Sequence, residues 1–360
     1  MIQWHSTLFS LSQELVDRGV IRDMQFSPNG RWLATCNEDW KAVLWRVDSD
    51  YQVSAYRVLV RPAEANVVSH LQVAWSPDNR WLLTRTDRNV KVWATETGSL
   101  FNTLAASKDV RVAFWLQNCK HYVSVNRRAV DIVDFQTNII VPIEVPFGMQ
   151  TLWASPAHDD QHVWILLTPD EDTPAAMRTP NALVLCNIAN RVYVSQTPVP
   201  RTTSRISLTM TAFGTHYMLV LHGGYSSPEL WKVKISGNQI RITEDHSFRL
   251  DGDQERAFKG PLRVGGAQNQ YVLCASSRDP QSEVDQVHIW DRPTGMFLKT
   301  EKIDARVMAW SPSPSGPLML ASANGTRIGI WTAHRFPEPE LYQQSLNSSD
   351  PPVYLVGPPS

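Results

Sequence analysis

Residues Met24–Thr35 read MQFSPNGRWLAT, and the same pattern returns 49 positions later at Val73–Thr84 as VAWSPDNRWLLT. A third copy, MAWSP, begins at Met308, and a weaker one, LWASP, begins at Leu152. Each copy places an apolar run before a Ser-Pro turn and, where it is long enough, a second apolar run after it. Proline presets the backbone of such a turn, and Asn or Gly accepts its unusual angles. The repeated unit is therefore a pair of strands joined by a tight turn.

A second motif, an alternating strand that ends in an aromatic residue, follows these copies. AVLW ends at Trp45, VKVW at Trp93, VHIW at Trp290 and IGIW at Trp331. The spacing is 48 residues from the first to the second and 41 from the third to the fourth. Alternation with a period of two is typical of a half-buried strand.

The two motifs give seven opening and seven closing strands. The opening strands are expected near Phe26, Trp75, Trp115, Trp153, Met210, Val264 and Trp310, and the closing strands near residues 45, 93, 135, 188, 231, 290 and 331. A period of about 40–45 residues with four short strands per unit is the signature of a propeller blade. The fold class predicted is all-β, a single seven-bladed β-propeller of four-stranded antiparallel blades. A helical solenoid or a two-sheet sandwich fits less well, because only Leu11–Val16 looks helical and the chain offers far too many strands for a sandwich.

The domain boundaries follow from the same count. The propeller is expected to cover residues 1–336, with Met1–Ser10 able to supply the outer strand that closes the ring on the last blade. Residues 337–360 contain six prolines and no repeat, so they are predicted to form a Pro-rich flexible tail.

Composition excludes several classes of function. The 360 residues carry a net charge of −1, are 42% hydrophobic and only 19% charged, which is typical of a globular chain and argues against a nucleic-acid binder. The apolar runs are too short for a membrane span, and the first residues show no signal-peptide pattern. The four cysteines are far apart and form no Cys-x-x-Cys pair, so a reducing cytoplasmic or nuclear compartment is expected.

The chain also holds 14 tryptophans, which is more than its tyrosines or phenylalanines. Nine of them fall at the opening and closing positions, where we expect them to fill the wedge between blades. Trp32 and Trp81 share one offset in the repeat and are predicted to be structural as well. Trp4 and Trp40 stand outside these positions and are the tryptophans left as candidate contact residues.

At this point the sequence resembles the WD-repeat family, whose marks are the Ser-Pro-Asx turn and the closing Val-x-Val/Ile-Trp strand. Trp290-Asp291 is a literal Trp-Asp pair at a closing position. The order of the blades is most similar to the propeller of the WD-repeat subunit of GID/CTLH-type E3 ubiquitin ligases, notably in Ser69–Gly98, in Val307–Trp331 and in the pair Gly265-Gly266. The resemblance implies a non-catalytic scaffold, a subunit or substrate adaptor that binds ubiquitin-ligase subunits in proteasomal degradation.

The chain departs from the family in the buried polar set of each blade. The usual Gly-His pair is missing throughout, and the turn aspartate that accompanies it is kept only at Asp39, Asp87 and Asp279. Asn324 replaces it in the last blade, and Arg127-Arg128 occupy its place in the third. Losing a whole hydrogen-bonded set costs little, whereas losing half of one leaves a buried polar group unpaired. Blades three to five are therefore predicted to be divergent.

No pattern of catalytic residues emerges. Phosphate-binding, dinucleotide-binding and nucleophile-elbow motifs are missing from the sequence. His158 and His162 have a metal-ligand spacing only on a helix, and Asp251–Glu255 lacks the spacing of a calcium loop. We therefore predict no enzyme, no cofactor, no metal and no small-molecule substrate. A scaffold in another complex, such as chromatin, trafficking or RNA processing, is the alternative function, and a propeller enzyme is a third.

The predicted contact surface is the face that gathers the loops before each inner strand and the turns before each closing strand. Loops carry function when a rigid scaffold positions them. The register of the repeat places the following side chains on this partner-binding face: Glu38, Trp40, Asp109, Arg128, Phe258, Arg278 and Asp304.

Overall fold

The structure is a computed structural model of the chain. It describes residues 9–39, 41–59, 71–86, 88–105, 110–157, 161–172, 180–200, 203–212, 215–222, 226–236, 239–250, 256–265, 270–278, 281, 283, 286–303, 305–312 and 317–333. Within these residues the secondary structure is entirely β, with 28 strands in seven four-stranded sheets. The predicted tail, residues 337–360, lies outside the described residues.

The first four blades follow one another along the chain, each numbered from its innermost to its outermost strand. Blade 1 contains β2 (Ile21–Phe26), β3 (Trp32–Asn37), β4 (Ala42–Val47) and β5 (Val53–Leu59). Blade 2 contains β6 (Gln72–Trp75), β7 (Trp81–Arg85), β8 (Asn89–Ala94) and β9 (Leu100–Ala105). Blade 3 contains β10 (Val110–Trp115), β11 (His121–Asn126), β12 (Ala129–Asp134) and β13 (Ile140–Glu144). Blade 4 contains β14 (Met149–Pro156), β15 (His162–Pro169), β16 (Asn181–Asn187) and β17 (Val192–Val199).

The last three blades complete the ring. Blade 5 contains β18 (Thr203–Ala212), β19 (Thr215–His222), β20 (Glu229–Ser236) and β21 (Gln239–Ser247). Blade 6 contains β22 (Ala257–Gly265), β23 (Tyr271–Ser277), β24 (Gln286–Asp291) and β25 (Phe297–Glu301). Blade 7 contains β26 (Val307–Trp310), β27 (Leu318–Asn324), β28 (Arg327–Ala333) and, on its outside, β1 (Ser10–Val16). All pairings are antiparallel, and the seven blades confirm the predicted fold class.

The first strand of the chain closes the ring. β1 pairs with β28 from Ser10 opposite Thr332 to Val16 opposite Arg327. The stretch that looked helical, Leu11–Val16, is therefore a strand, and it extends beyond the Met1–Ser10 segment from which closure was expected. The partner strand lies more than 300 residues away, so the local pattern alone could not reveal the pairing. Because first and last strands share one sheet, the ring is held by backbone hydrogen bonds.

The hydrophobic core is a set of wedges between neighbouring blades. Trp93 of blade 2 packs with Leu44 of blade 1, and Trp290 of blade 6 packs with Leu219 of blade 5. In the other blades the closing residue also shares a hydrophobic cluster with the blade before it; this residue is aromatic in blades 1, 3, 5 and 7 and is Ile188 in blade 4. Six of the nine predicted wedge tryptophans are buried, namely Trp45, Trp75, Trp93, Trp115, Trp231 and Trp290, while Trp153, Trp310 and Trp331 are half-buried.

Side chains of one inner strand hydrogen-bond the backbone of the next inner strand around the ring. The Asp23 carboxylate accepts the backbone N–H of Val73 at 3.0 Å, and the Gln25 side-chain oxygen accepts that of Trp75 at 3.1 Å. The inner strand is the edge of its sheet, so these backbone groups have no partner strand of their own. The side chains of one blade therefore satisfy the edge of its neighbour.

The same arrangement recurs elsewhere in the ring. The Gln72 side-chain oxygen accepts the backbone N–H of Ala113 at 3.1 Å, and Arg263 Nε donates to the carbonyl of Met308 at 3.0 Å. These bonds join blade 2 to blade 3 and blade 6 to blade 7. Together with the hydrophobic wedges, they make the disk a rigid support for its loops.

Candidate functional site

In every blade the turn between the second and third strands lies at the same end of the ring as the connection to the next blade. We call this end the b–c face. Its described parts include the turn at Glu38–Asp39, the turn at Arg127–Arg128 and the start of the blade 4 turn at Asp170. These positions follow directly from antiparallel strands that alternate in direction.

The structure places three of the predicted contact residues on exposed turns of the b–c face. Glu38 belongs to blade 1, Arg128 to blade 3 and Arg278 to blade 6, and all three side chains are at least one-third exposed. The predicted residues Trp40, Asp109 and Asp304, together with Trp4, lie outside the described residues. That this face contacts a partner stays a prediction.

Phe258 lies elsewhere than its predicted loop. It sits inside β22, is only 5% exposed and packs against the rings of His288 and Trp290 at centroid distances of 5.8 and 6.1 Å. The pairing of β22 with β23 is irregular between Phe258 and Leu262, so the strand begins earlier than the repeat predicts. Its ring belongs to the wedge between blades 5 and 6.

An ionic link joins two blades on the b–c face. The Asp170 carboxylate of blade 4 accepts hydrogen bonds from Arg127 and Arg128 of blade 3, one guanidinium on each oxygen. Burial of the carboxylate opposes its ionisation, but the hydrogen bond and the charges of the two arginines outweigh it and lower the pKa of Asp170. Arg128 therefore holds one blade to the next while its side chain remains 44% exposed.

Glu38 is also paired. Its carboxylate forms an ion pair with Arg22 on β2, and its backbone N–H donates to the carbonyl of Val20 at 3.0 Å. Both side chains of the pair remain accessible to solvent. Exposed ion pairs contribute little to stability, so these charges can be used for recognition at small structural cost.

The buried polar set of blade 1 uses a different acid from the one predicted. Trp45 Nε1 donates to Thr35 Oγ1 at 3.0 Å, and Asn37 Nδ2 donates to Asp17 Oδ1 at 2.7 Å. Thr35 also lies 3.5 Å from Asp17 Oδ2. Asp17, which follows the ring-closing strand, therefore takes the place expected for Asp39.

A serine–histidine contact exists in blade 6, but it is buried. Ser276 Oγ lies 2.7 Å from His288 Nε2, and the other ring nitrogen of His288 lies 2.8 Å from Thr300 Oγ1. Arg256 Nε donates to the same serine at 2.9 Å. Ser276 is 0% and His288 1% exposed, so no substrate can reach this pair in the folded state. The chain of hydrogen bonds satisfies polar groups inside the blade.

Three of the four cysteines, Cys36, Cys186 and Cys274, are also buried, whereas Cys119 is partly exposed. Burial raises the pKa of the Cys186 thiol to about 11, which keeps it protonated and unreactive near neutral pH. Among the residues that the structure describes, no three His, Cys, Asp or Glu side chains are grouped closely enough to hold a metal ion.

Among the described residues, inner strands of six blades line the central channel, which has a volume of about 540 Å³. Its walls combine the carboxylate of Asp23, the guanidinium of Arg263 and the aromatic side chains of Phe114, Trp153 and Trp310. Burial raises the pKa of Asp23 despite its hydrogen bond from the backbone of Val73. Both charged groups are used in the bonds between blades.

Gly265 has a structural role at this channel. A methyl group added at its α-carbon would overlap the indole of Trp310 in the next blade. The glycine therefore lets the tryptophan of blade 7 lie flat against β22. Its partner in the sequence motif, Gly266, lies outside the described residues.

A closed ring of seven four-stranded blades with loops at both ends defines the class of protein: a β-propeller. The family model described as WD domain, G-beta repeat (WD40), matches residues 9–46 and 63–94. Two stretches of the chain thus match WD repeats, one over the ring-closing strand and blade 1 and the other in blade 2.

Three curated proteins are similar in sequence. The WD repeat-containing protein WDS homolog of Arabidopsis thaliana is 25% identical over 324 residues, which cover 86% of this chain and 54% of that protein. The WD repeat-containing protein 26 homolog of the same plant is 30% identical over 76 residues, 21% of this chain and 12% of that one. Protein HIR1 of Candida albicans is 31% identical over 85 residues, 21% of this chain and 9% of that one. The chain thus spans about half the length of the first relative and far less of the others.

Among solved structures, the β-propeller domain of Cps50 (Swd1) from Myceliophteria thermophila superimposes with a TM-score of 0.70. The match covers 91% of this chain and 100% of that domain at 16% identity. This likeness shows the fold. Within the described part of this chain there is no helix of the length and apolar character that crossing a membrane would require.

Proposed function

We propose that this chain is a non-catalytic protein-interaction scaffold that binds partner proteins through its b–c face. The observation that carries the proposal is the exposed charge on the turns of a closed ring: Glu38, Arg128 and Arg278 belong to three different blades. Strand pairing, hydrophobic wedges and bonds between inner strands fix the blades, so little order has to be gained on binding. Partners with complementary charge would be selected by this surface.

The assembly in this proposal is a GID/CTLH-type ubiquitin ligase, in which the propeller would be a subunit or substrate adaptor in proteasomal degradation. The support is the resemblance of Ser69–Gly98 and Val307–Trp331 to the propeller of the WD-repeat subunit of those ligases. The same proposal places the protein in the cytoplasm, the nucleus or both. Its partners are proteins rather than nucleic acids, membranes or small molecules, in keeping with the net charge of −1.

Affinity purification with quantitative mass spectrometry tests both levels of the proposal. The tagged full chain is compared with Glu38→Arg/Arg278→Glu, which reverses two charges on the b–c face. The matched control is Arg241→Glu/Glu244→Arg, the same reversals on the exposed outer strand β21. We expect the face variant to lose partners that the wild-type chain and the control both retain.

Each outcome has one meaning. Recovery of ligase subunits with the wild-type chain supports the ligase assignment. Recovery of a stable complex that lacks them overturns that assignment and supports a scaffold in another assembly, such as one in chromatin, trafficking or RNA processing. Retention of every partner by the face variant overturns the b–c face as the binding surface. Failure of the wild-type chain to retain any protein above the untagged background overturns the scaffold itself.

A further inference from the structure

The end of the ring opposite the b–c face carries a duplicated arginine–tryptophan pair. Arg31 and Trp32 end the Ser-Pro turn of blade 1, and Arg80 and Trp81 hold the same positions in blade 2. The two turns are joined, because the backbone N–H of Asn29 donates to the side-chain oxygen of Asn79 at 2.9 Å. The two pairs therefore lie side by side on neighbouring blades.

These pairs line an open groove of about 830 Å³ between the two blades. Arg46, which follows the closing tryptophan of blade 1, adds a third guanidinium to the lining. Within the described part of the chain, the side chains of Arg31, Arg46 and Arg80 have no carboxylate within ion-pair distance. Their hydrogen-bond donors face solvent rather than a partner.

The acidic residues of the groove do not neutralise these arginines directly. Asp48 Oδ1 accepts the backbone N–H of Asp50 at 2.9 Å and that of Gln52 at 2.8 Å. Asp78 Oδ1 likewise accepts the hydroxyl of Ser76 and the backbone N–H of Arg80, the latter at 3.1 Å. Both carboxylates are thus held by the donors of their own turns. The third acid in the lining, Glu96, is exposed.

A buried hydroxyl in the same lining has no partner. Thr95 is 2% exposed, and its Oγ1 makes no hydrogen bond to any described residue. The equivalent position in blade 1 is Val47, which packs in the core without a hydroxyl. Packing alone therefore does not require threonine here. The oxygen of this hydroxyl is closed to solvent, so Thr95 belongs to the wall of the groove and not to the surface that a ligand would contact.

The aromatic walls of the groove are fixed in place. The ring of Trp32 meets Tyr56 of the outer strand at a centroid distance of 4.9 Å, and that of Trp81 meets Phe101 at 4.8 Å. Both tryptophans are half-buried and line the groove. Their apolar surface reduces the access of water to any group held by the arginines, which strengthens the electrostatic attraction.

We propose that this groove binds a phosphoserine or phosphothreonine side chain of a partner protein. A phosphate monoester carries about −1.5 to −2 charges and three strong acceptor oxygens at pH 7. That number of acceptors matches two or three guanidinium forks, whereas a carboxylate offers one charge and two oxygens. The groove lies at the end of the ring opposite the b–c face. A failure of phosphate binding in the groove can therefore be distinguished from a failure of partner binding at the b–c face.

Fluorescence anisotropy with labelled degenerate nonapeptides tests the proposal. One library carries a central phosphoserine or phosphothreonine, a second the unmodified residue and a third a central glutamate. We expect the full chain to bind the phosphorylated library at least about tenfold more tightly than either of the others, since hydrogen bonds to charged groups are the stronger ones. Binding should weaken as salt is added.

Variants locate the site. Arg31→Ala/Arg80→Ala should weaken binding of the phosphorylated library by about tenfold or more. The b–c face variant Glu38→Arg/Arg278→Glu should leave this binding unchanged. If the double alanine variant does not give the wild-type melting transition, Arg31→Lys/Arg80→Lys replaces it, because lysine keeps the charge and removes the fork.

Three results would overturn the proposal. Equal binding of the glutamate library would assign the groove to carboxylates. Tighter binding of a labelled single-stranded RNA oligomer, lost in the same arginine variants, would assign it to a nucleic-acid backbone. If the arginine variant bound the phosphorylated library with wild-type affinity, the groove would not be the phosphate-binding site.

Discussion

Blades 1, 2 and 7 differ from blades 5 and 6 in what the closing tryptophan binds. In the first group the indole N–H donates to a hydroxyl of the neighbouring strand. The pairs are Trp45–Thr35 at 3.0 Å, Trp93–Thr84 at 2.9 Å and Trp331–Ser322 at 2.8 Å. In the second group Trp231 donates to its own strand's Glu229 at 2.7 Å, and Trp290 to the backbone carbonyl of Arg249 at 2.8 Å.

The two groups share the position of the ring. In each blade the closing aromatic residue packs against the preceding blade, whatever its polar group binds. A buried N–H needs an acceptor, but a hydroxyl, a carboxylate or a carbonyl serves equally well. The shape of the wedge is thus more restrictive than the identity of the hydrogen-bond partner. Blades 5 and 6 keep the wedge and differ only in the group that accepts the indole hydrogen bond.

Removing the wedge should be equally severe in both groups. Trp93→Ala in blade 2 and Trp290→Ala in blade 6 each delete a buried indole, and each should lower the free energy of unfolding by about 3–5 kcal/mol. Equilibrium denaturation in urea measures both. A loss for Trp290→Ala that is less than half of that for Trp93→Ala would show that blade 6 depends on something other than its wedge.

Removing the hydroxyl should affect only the first group. Thr84→Val leaves the Trp93 N–H buried without its acceptor and should cost about 1–3 kcal/mol, whereas Thr84→Ser keeps the hydroxyl and should cost less. The same denaturation experiment reads both variants. Equal stability of the valine and serine variants would mean that the indole–hydroxyl bond contributes nothing in the regular blades.

A methyl group at Gly265 tests how blade 6 accommodates the tryptophan of blade 7. Gly265→Ala should lower stability by about 1–3 kcal/mol, because the added carbon overlaps the Trp310 ring. The double variant Gly265→Ala/Trp310→Leu should cost less than the sum of the two single changes. Strict additivity, measured in a double-mutant cycle, would contradict the contact.

Two carboxylates should respond to pH in opposite directions. The pKa of Asp170 is lowered in the folded chain, so its stabilisation is complete above the unfolded value of about 3.9 and is lost as pH falls through the lower folded value. The pKa of Asp23 is raised, so stability is lost as pH rises from about 3.9 through the higher folded value.

Melting curves from pH 2.5 to pH 7 test this sign. Asp170→Asn should lose stability relative to the wild type at pH 7, with a smaller difference at pH 2.5. Asp23→Asn keeps an acceptor for the Val73 N–H. Its stability relative to that of the wild type should be highest at pH 7. The same pH trend in both variants would contradict one of the two environments.

The sequence predicts the ring far better than it predicts the surface. Strand pairs, spacing and closing aromatics are repeated, so all seven opening and closing strands lie where the pattern places them. The sequence pattern of Leu11–Val16 suggests a helix, whereas the structure has the ring-closing strand there. The pattern misleads because the partner strand lies at the other end of the chain. Its pattern is also weak, since Leu15 is the apolar residue that it buries within the described strand.

The candidate face follows the same rule. Glu38 and Arg128 lie on the predicted turns because the repeat fixes turn positions. Phe258 does not, because the irregular pairing of β22 shifts the register. Asp170 could not be found from the sequence, because both of its partners come from the previous blade. Sequence repeats thus locate turns, while contacts between blades require the closed ring.

Native-state hydrogen exchange read by mass spectrometry tests the central claim, that regular and divergent blades form one ring of comparable rigidity. Peptides from β7 and β8 of blade 2 and from β15 and β16 of blade 4 are compared, since both pairs are central strands with buried side chains. We predict protection factors that agree to within about tenfold, as expected for strands that open together. Exchange of β15 and β16 within seconds, while β7 and β8 stay protected, would contradict the account.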